Sequence, residues 1–137
     1  MYYTIELSTR SRCELVDITD KVLSVIKKSK VKSGVAIIYV PHTTAAITIN
    51  ENYDPSVTAD INTLLNKLIP HNFPYSHTEG NADAHIKSAI IGSTRTVFFE
   101  NGEIIFGTWQ GIFFCEFDGP RHRKVLVKIL PDANQER

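Results

Sequence analysis

Charge of either sign is not in excess in this sequence: 15 lysines and arginines are matched by 15 aspartates and glutamates. No broad field therefore exists to draw in nucleic acid or an anionic membrane, and any anion site has to be local. Cysteine is scarce. Cys13 and Cys115 are isolated and match no metal or redox spacing, so they read as reduced packing thiols in strand-like stretches. Long apolar runs are missing as well: no window approaches the roughly 18 apolar residues of a membrane span, and the opening MYYTIELSTRSRCELVDIT has no signal-peptide core. These absences set the expectation of a soluble, cytoplasmic chain with neither nucleic acid nor membrane as partner. Internal repeats and low-complexity tracts are absent too. The 137 residues make one expected domain, 1–130, large enough to bury a core without staples, followed by a tail from Pro131 to Arg137 that looks disordered.

What is present alternates between strand and helix patterns. Tyr3 to Leu7 alternates as a strand, and Glu14 to Ile18 is expected to pair with it across the polar turn Ser8 to Arg12. A helix follows, capped by Asp17 or Thr19, with an apolar stripe of Val22, Val25 and Ile26 and with Lys27, Lys28 and Lys30 suited to its C-terminal dipole. The run Val35 to Val40 is apolar throughout, which implies a strand buried on both faces. Ala45 to Ile49 continues as strand after Pro41. Asp54-Pro55 reads as N-cap and first residue of a second helix with the stripe Val57, Ile61, Leu64, Leu65 and Leu68, and Asp60 falls at the border of that stripe. A short third helix is expected from Asn81 to Gly92. Phe98 to Ile105 contains Asn101-Gly102, a strong hairpin signal. Gln110 to Phe117 and Lys124 to Leu130 are expected to close a C-terminal meander. The class is α+β, a largely antiparallel sheet or sandwich with two to three helices.

Polar clusters stand at the ends of these elements, where sites collect. The stretch SHTEGNADAH, Ser76 to His85, packs two histidines, two carboxylates and an amide around a helix start. It reads either as a capped, solvated loop or as an anion or metal site at a helix N-terminus. Pro41-His42-Thr43-Thr44 ends an apolar strand in an imidazole and two hydroxyls. The threonines could bind phosphate oxygens, and His42 could join His77 or His85 around a divalent ion. Glu116 shares a strand face with Ile112 and Phe114 and needs Arg121, Arg123, a bound cation or water as a partner. The turn Asp118 to Lys124 concentrates positive charge suited to phosphate, or is a solvated tip. Trp109, the single tryptophan, either packs in the core or covers a site or interface.

Taken together, PHTTAAITINENYDP, DINTLL, HTEGNADAHIKSAIIG and GTWQGIFFCEFDGPR resemble the YjbQ family, over about Tyr3 to Leu130. The resemblance implies a compact α+β homotrimer with a site near subunit boundaries. It also implies secondary thiamine-phosphate synthase activity, in which a phosphorylated thiazole is joined to hydroxymethylpyrimidine diphosphate and pyrophosphate leaves. Carried onto this sequence, the family pattern marks His42, Thr43 and Thr44, then Asn50, Glu51, Asp54 and Asp60. Further on it marks Glu79, Gly80, His85 and Lys87, and finally Gly107, Thr108, Trp109, Gln110, Glu116 and Arg121. Where many relatives have a methionine-proline pair before Ala84-His85, this chain has Ala82-Asp83.

Diphosphate departure needs its growing charge neutralised by a metal, arginines or backbone donors, and little acid-base chemistry besides. The catalytic expectation therefore falls on His85 and His42, oriented by Glu116 or Asp60. Thr43, Thr44, Asn50, Glu51, Lys87, Trp109, Gln110 and Arg121 are expected to contact substrate or phosphate, with Trp109 stacking on a flat heterocycle. His42, His77 and His85 are the expected ligands of a divalent ion, magnesium or zinc, and no organic cofactor is expected. The partner implied is a phosphorylated heterocycle. The competing reading is a trimer that binds a metal or a phosphorylated metabolite without catalysis.

Overall fold

A computed structural model describes residues 1–133. Eight strands and three helices follow one another as β1 (Tyr3–Ser8), β2 (Glu14–Asp17), α1 (Thr19–Ser29), β3 (Gly34–Tyr39), β4 (Ala45–Glu51), α2 (Pro55–Leu68), α3 (Ala82–Ile91), β5 (Thr94–Glu100), β6 (Glu103–Ile104), β7 (Gln110–Glu116) and β8 (His122–Pro131). They form two sheets, β1-β8-β3-β5-β6 and β2-β7-β4, and every pairing is antiparallel. The expected α+β sandwich is present, with three helices.

Alternation along the strands builds the core. Ile5, Leu7, Ala36, Ile38, Val97, Phe99, Val125 and Val127 of the larger sheet meet Ala45, Ile47, Ile112 and Phe114 of the smaller one, joined by Val22, Val25 and Ile26 of α1. The other face of the smaller sheet carries Ala46 and Cys115, and α3 covers it through Ala84, with Phe117, Leu65 and Ile91 completing the cluster. β7, central in its sheet, is thus buried on both sides. Asp54 caps α2 as expected, its side chain accepting from the Ser56 N–H at 2.9 Å. α1 begins just after Asp17, whose carboxylate accepts from the N–H and hydroxyl of Thr19 at 2.9 and 2.6 Å. The Asn101-Gly102 turn joins β5 to β6 with both residues at positive φ, as the tight hairpin requires.

Several expectations are corrected. β1 pairs with β8 and β2 with β7, so the segment between β1 and β2 is a crossing between sheets. Glu14 bends that segment by accepting the Arg10 and Ser11 amides at 2.6 and 2.8 Å. For the same reason β7 and β8 are not meander neighbours: they lie in different sheets. β3 is buried on one face only, since among the described residues no layer covers the outer side of the larger sheet and Tyr39 there is exposed. α2 has no buried residue: Val57, Ile61 and Leu65 are half-buried, while Leu64 and Leu68 are 55% and 66% exposed. Asp60 faces solvent with them. β8 continues through Pro131, which pairs with Gly34, so the larger sheet extends one residue into the expected tail. The rest of that expectation concerns 134–137, outside the described residues.

Candidate functional site

Three sheet-crossing links, β1 to β2, β3 to β4 and β7 to β8, come together at one end of the sandwich. Backbone bonds tie them: Thr9 N–H to Arg121 C=O at 2.9 Å, Phe117 N–H to Thr44 C=O at 3.2 Å and Gly119 N–H to Arg12 C=O at 3.0 Å. Gly119 is required there, because a Cβ would lie 2.3 Å from the Ser11 carbonyl oxygen. Beneath the links, Glu116 of the smaller sheet and Arg123 of the larger one form a buried ion pair. Arg123 donates to the two carboxylate oxygens at 2.8 and 2.5 Å, the Thr9 hydroxyl adds a bond of 2.7 Å, and the Asp118 N–H another of 3.0 Å. Burial alone would raise the Glu116 pKa, but Arg123 and these donors hold it below the usual carboxylate range. Glu116 is therefore a strut under the site, with its oxygens fully engaged.

Above the strut opens a cleft of about 800 Å³, lined among others by His42, Thr43, His77, Glu79, His85 and Arg121. Thr44, Arg123, Tyr39 and Ser93 complete the polar part of its wall. His42 is placed by strand geometry. The β3–β8 ladder ends at Tyr39–Leu126, and beyond it the Lys124 N–H donates to His42 Nε2 at 3.1 Å. Burial first, and the nearby positive Arg123 second, lower the His42 pKa and favour the neutral ring. A neutral imidazole has one lone pair, and here it is taken by Lys124, so Nδ1 carries the proton and is a donor. His77 and His85 meet edge to face, with ring centroids 5.2 Å apart. Beyond them a less polar recess is lined by Tyr75, Ala82 and Ile86 together with the same two histidines. Arg121, half exposed, is steadied by Asp118, donating to its carboxylate and its backbone carbonyl at 2.9 and 2.8 Å.

The expected residues thus divide. His42, Thr43, Thr44, His77, His85 and Arg121 share the cleft, with Glu116 behind it. Asn50, Glu51, Trp109 and Gln110 do not reach it. They occupy the other end of the β4–β7 pair, whose register runs from Ala45–Glu116 at the cleft to Glu51–Gln110, roughly 20 Å away at the rise of a strand. Trp109 stands half exposed against Tyr53, ring centroids 5.0 Å apart, and in this chain stacks on nothing in the cleft. Asp60 lies exposed on α2, away from the cleft wall. Lys87, 1% exposed, points beneath α3, where its ammonium donates to Asn66, lies 3.8 Å from Cys13 Sγ and sits over the Phe117 ring.

The three-histidine metal set does not fit this geometry, because His42 has no lone pair left for an ion. Among the described residues no group of three histidine, cysteine or acidic side chains is arranged to hold a metal. Both cysteines are free thiols, and burial pushes the Cys115 thiol up to about 12, which makes it inert. Sequence reasoning missed Tyr39, Ser93 and Tyr75. Tyr39 and Ser93 adjoin element ends, which was the available signal, whereas Tyr75 lies in the middle of the link between α2 and α3.

Asp83 is 1% exposed and does more than favour a helix start. Arg12 donates to both its oxygens at 3.1 and 3.2 Å, and His71 Nδ1 lies 3.1 Å away. Burial would raise its pKa, but these partners hold it below the usual range. Asp83, Glu116 and His42 all have folded pKa values below their unfolded ones, so each contributes stability that is lost as pH falls. The His42 contribution begins to go below about pH 6.5 and the carboxylate contributions below about pH 4. Urea midpoints measured from pH 8 to pH 3 are expected to fall in those two stages, and Asp83→Asn is expected to flatten the lower one. A midpoint rising toward acid would contradict these assignments.

Fold and cleft together define a class: an antiparallel two-sheet α+β protein whose sheet-crossing links carry a polar imidazole and guanidinium site. The chain belongs to the family described as UPF0047 protein YjbQ-like, whose model matches residues 3–132. It is 56% identical to UPF0047 protein MJ1081 of Methanocaldococcus jannaschii over 132 residues, 96% of each chain. UPF0047 protein YugU of Bacillus subtilis is 46% identical, over 95% of this chain and 99% of that one. The crystal structure of an uncharacterised YjbQ/UPF0047-family protein from Clostridium acetobutylicum matches with TM-score 0.91 at 49% identity, covering 93% of this chain and 99% of that one. A YbjQ-like protein of unknown function from Sulfolobus solfataricus matches with TM-score 0.91 at 37% identity, covering 96% and 97%. No helix among the described residues is long and apolar enough to cross a membrane.

Proposed function

We propose that the cleft binds a phosphorylated small molecule and serves the joining of a phosphorylated thiazole to hydroxymethylpyrimidine diphosphate, with thiamine phosphate and pyrophosphate as products. The observation that carries this reading is the convergence of His42, Thr43, Thr44 and Arg121 on one cleft. In the reaction the thiazole nitrogen attacks the pyrimidine methylene carbon while the bond to diphosphate breaks, so charge grows on the leaving oxygen. Arg121, the His42 Nδ1–H and the Thr43 hydroxyl supply donors for that charge, and the anchoring of Arg121 by Asp118 and of His42 by Lys124 lowers the cost of reorganisation. The magnesium salt of the diphosphate is the natural substrate form, since magnesium is usually held by phosphate oxygens and water with few protein ligands. The recess beside His77 and His85 would take a ring, the role expected of Trp109. Purified protein given both precursors and magnesium is expected to form thiamine phosphate; no product, and no thermal protection by the diphosphate, would contradict the proposal.

A second reading, binding without turnover, is favoured by how completely the donors beneath the cleft are already paired: Arg123 is spent on Glu116 and Thr44, leaving Arg121 as the guanidinium nearer to solvent.

Assembly belongs to the same proposal. Leu64 and Leu68 on α2, Phe98 on the larger sheet and Ile105 just after β6 are exposed in the single chain, and burying such groups contributes about 25 cal/mol per Å². A homotrimer would cover apolar surface of this kind and could set the Trp109 and Gln110 end of one protomer near the cleft of another. Light scattering at micromolar concentration is expected to give three times the mass of the chain. A monomer mass would contradict it.

A further inference from the structure

The side chains around His77 fix its hydrogen-bonding character. The Asp118 carboxylate oxygen Oδ2 accepts from the Arg121 guanidinium at 2.9 Å, so it is an acceptor there. Asn81 faces the same carboxylate oxygen at 2.9 Å, and only its amide N–H can do so. Its carbonyl oxygen therefore points the other way, at His77 Nε2, 3.0 Å distant. A carbonyl only accepts, so Nε2 of His77 carries a proton and, in the neutral ring, Nδ1 holds the lone pair. Asn81 makes no side-chain cap to α3; its amide is committed to this chain instead. The chain is anchored in the core, because the Asp118 N–H donates to the buried Glu116 at 3.0 Å. His42 has the opposite tautomer, with its lone pair on Nε2 given to Lys124.

We propose that Asn81 is the positioning residue that holds His77 as the cleft's hydrogen-bond acceptor, so that the site selects a phosphorylated ligand presenting an O–H or N–H to His77. The selection half rests on the phosphate-binding reading above; the positioning half stands on the hydrogen bonds alone. Glu79 and His85 also line the cleft, and Glu79 is a second acceptor, so the test has to separate Asn81 from it.

Two measurements do this. First, ¹⁵N-histidine spectra of the full chain report each ring's tautomer. His77 is expected as Nε2–H and His42 as Nδ1–H. In Asn81→Leu, His77 is expected to become a mixture while His42 is unchanged, and Asp118→Ala, which frees the amide to turn, is expected to do the same if the first variant folds poorly. Second, calorimetry at pH 7 compares inorganic phosphate, which keeps an O–H, with sulfate, which has none. Phosphate is expected to bind about tenfold tighter in the parent, and the preference should shrink in Asn81→Leu as the accepting tautomer loses population. An Nδ1–H His77 in the parent, or a tautomer unmoved by both variants, overturns the positioning role. Equal affinities in the parent, or a preference undiminished in both Asn81→Leu and Asp118→Ala, overturns the selection. Binding of neither anion with the tautomers as assigned overturns the phosphate reading and the selection with it, and supports the positioning role by itself.

Discussion

Glu116→Ala is expected to destabilise the protein by about 3–5 kcal/mol, because it strands the Arg123 guanidinium in the interior without its counter-charge. The substitution also frees the Thr9 hydroxyl and the Asp118 N–H, both of which now bond to Glu116. Chemical denaturation reads the loss directly. The double substitution Glu116→Met with Arg123→Met is expected to recover most of it, since removing both charges leaves neither unpaired. If Glu116→Ala unfolds at the parent's denaturant midpoint, the pair is no strut, and the account of how the two sheets are held at the cleft fails.

The second large effect concerns turnover. His85→Ala removes the imidazole that lies between the polar cleft and the recess beside Ile86 and would orient the ring there, and thiamine phosphate formation is expected to fall by about 100-fold. His85 is half-buried and makes its ring contact with His77, so the fold should survive, and the variant's unfolding midpoint serves as the control. Asp60→Ala, on the exposed face of α2, is expected to leave the rate within about twofold of the parent, consistent with the small effects usual for surface substitutions. Equal rates in parent and His85→Ala would mean that the cleft does not carry this reaction.

The particular elements show what the sequence makes legible. The boundaries of α3 and the Asp54 cap of α2 were readable because caps and turn residues act within a few positions. Strand partners distant in sequence were not, unlike the β5–β6 hairpin. Pairing of β1 with β8 joins residues more than a hundred positions apart, Leu7 with Arg123 for instance, and no local pattern encodes it. The α2 stripe was correctly periodic, yet periodicity says only that a face is apolar; Leu65 is half-buried while Leu64 and Leu68 stay exposed, so the stripe is only partly covered. Asp60 failed for the same reason, since its burial was inferred from that face.

The candidate site was legible in part. His42, Thr43, His77, His85 and Arg121 were read from element ends, and element ends do meet here because three crossings share one end of the sandwich. Trp109 and Gln110 also lie near an element end, but the opposite one, and a motif list carries no information about which end a residue occupies. Glu116 was recognised as a carboxylate needing a partner. Its choice of Arg123 over Arg121 was within reach: Arg123, Val125 and Val127 alternate on one face of β8, and all three are buried. What no spacing could supply is the direction of each hydrogen bond, which decides that His42 offers a donor where a metal would need a lone pair.

The central claim is that this cleft takes a diphosphate-bearing ligand, and calorimetry with hydroxymethylpyrimidine diphosphate and magnesium tests it most directly. The account predicts saturable binding to the parent that weakens at least about tenfold in Arg121→Ala, where a charge-assisted contact is lost. No heat of binding, or an affinity untouched in Arg121→Ala, would contradict it.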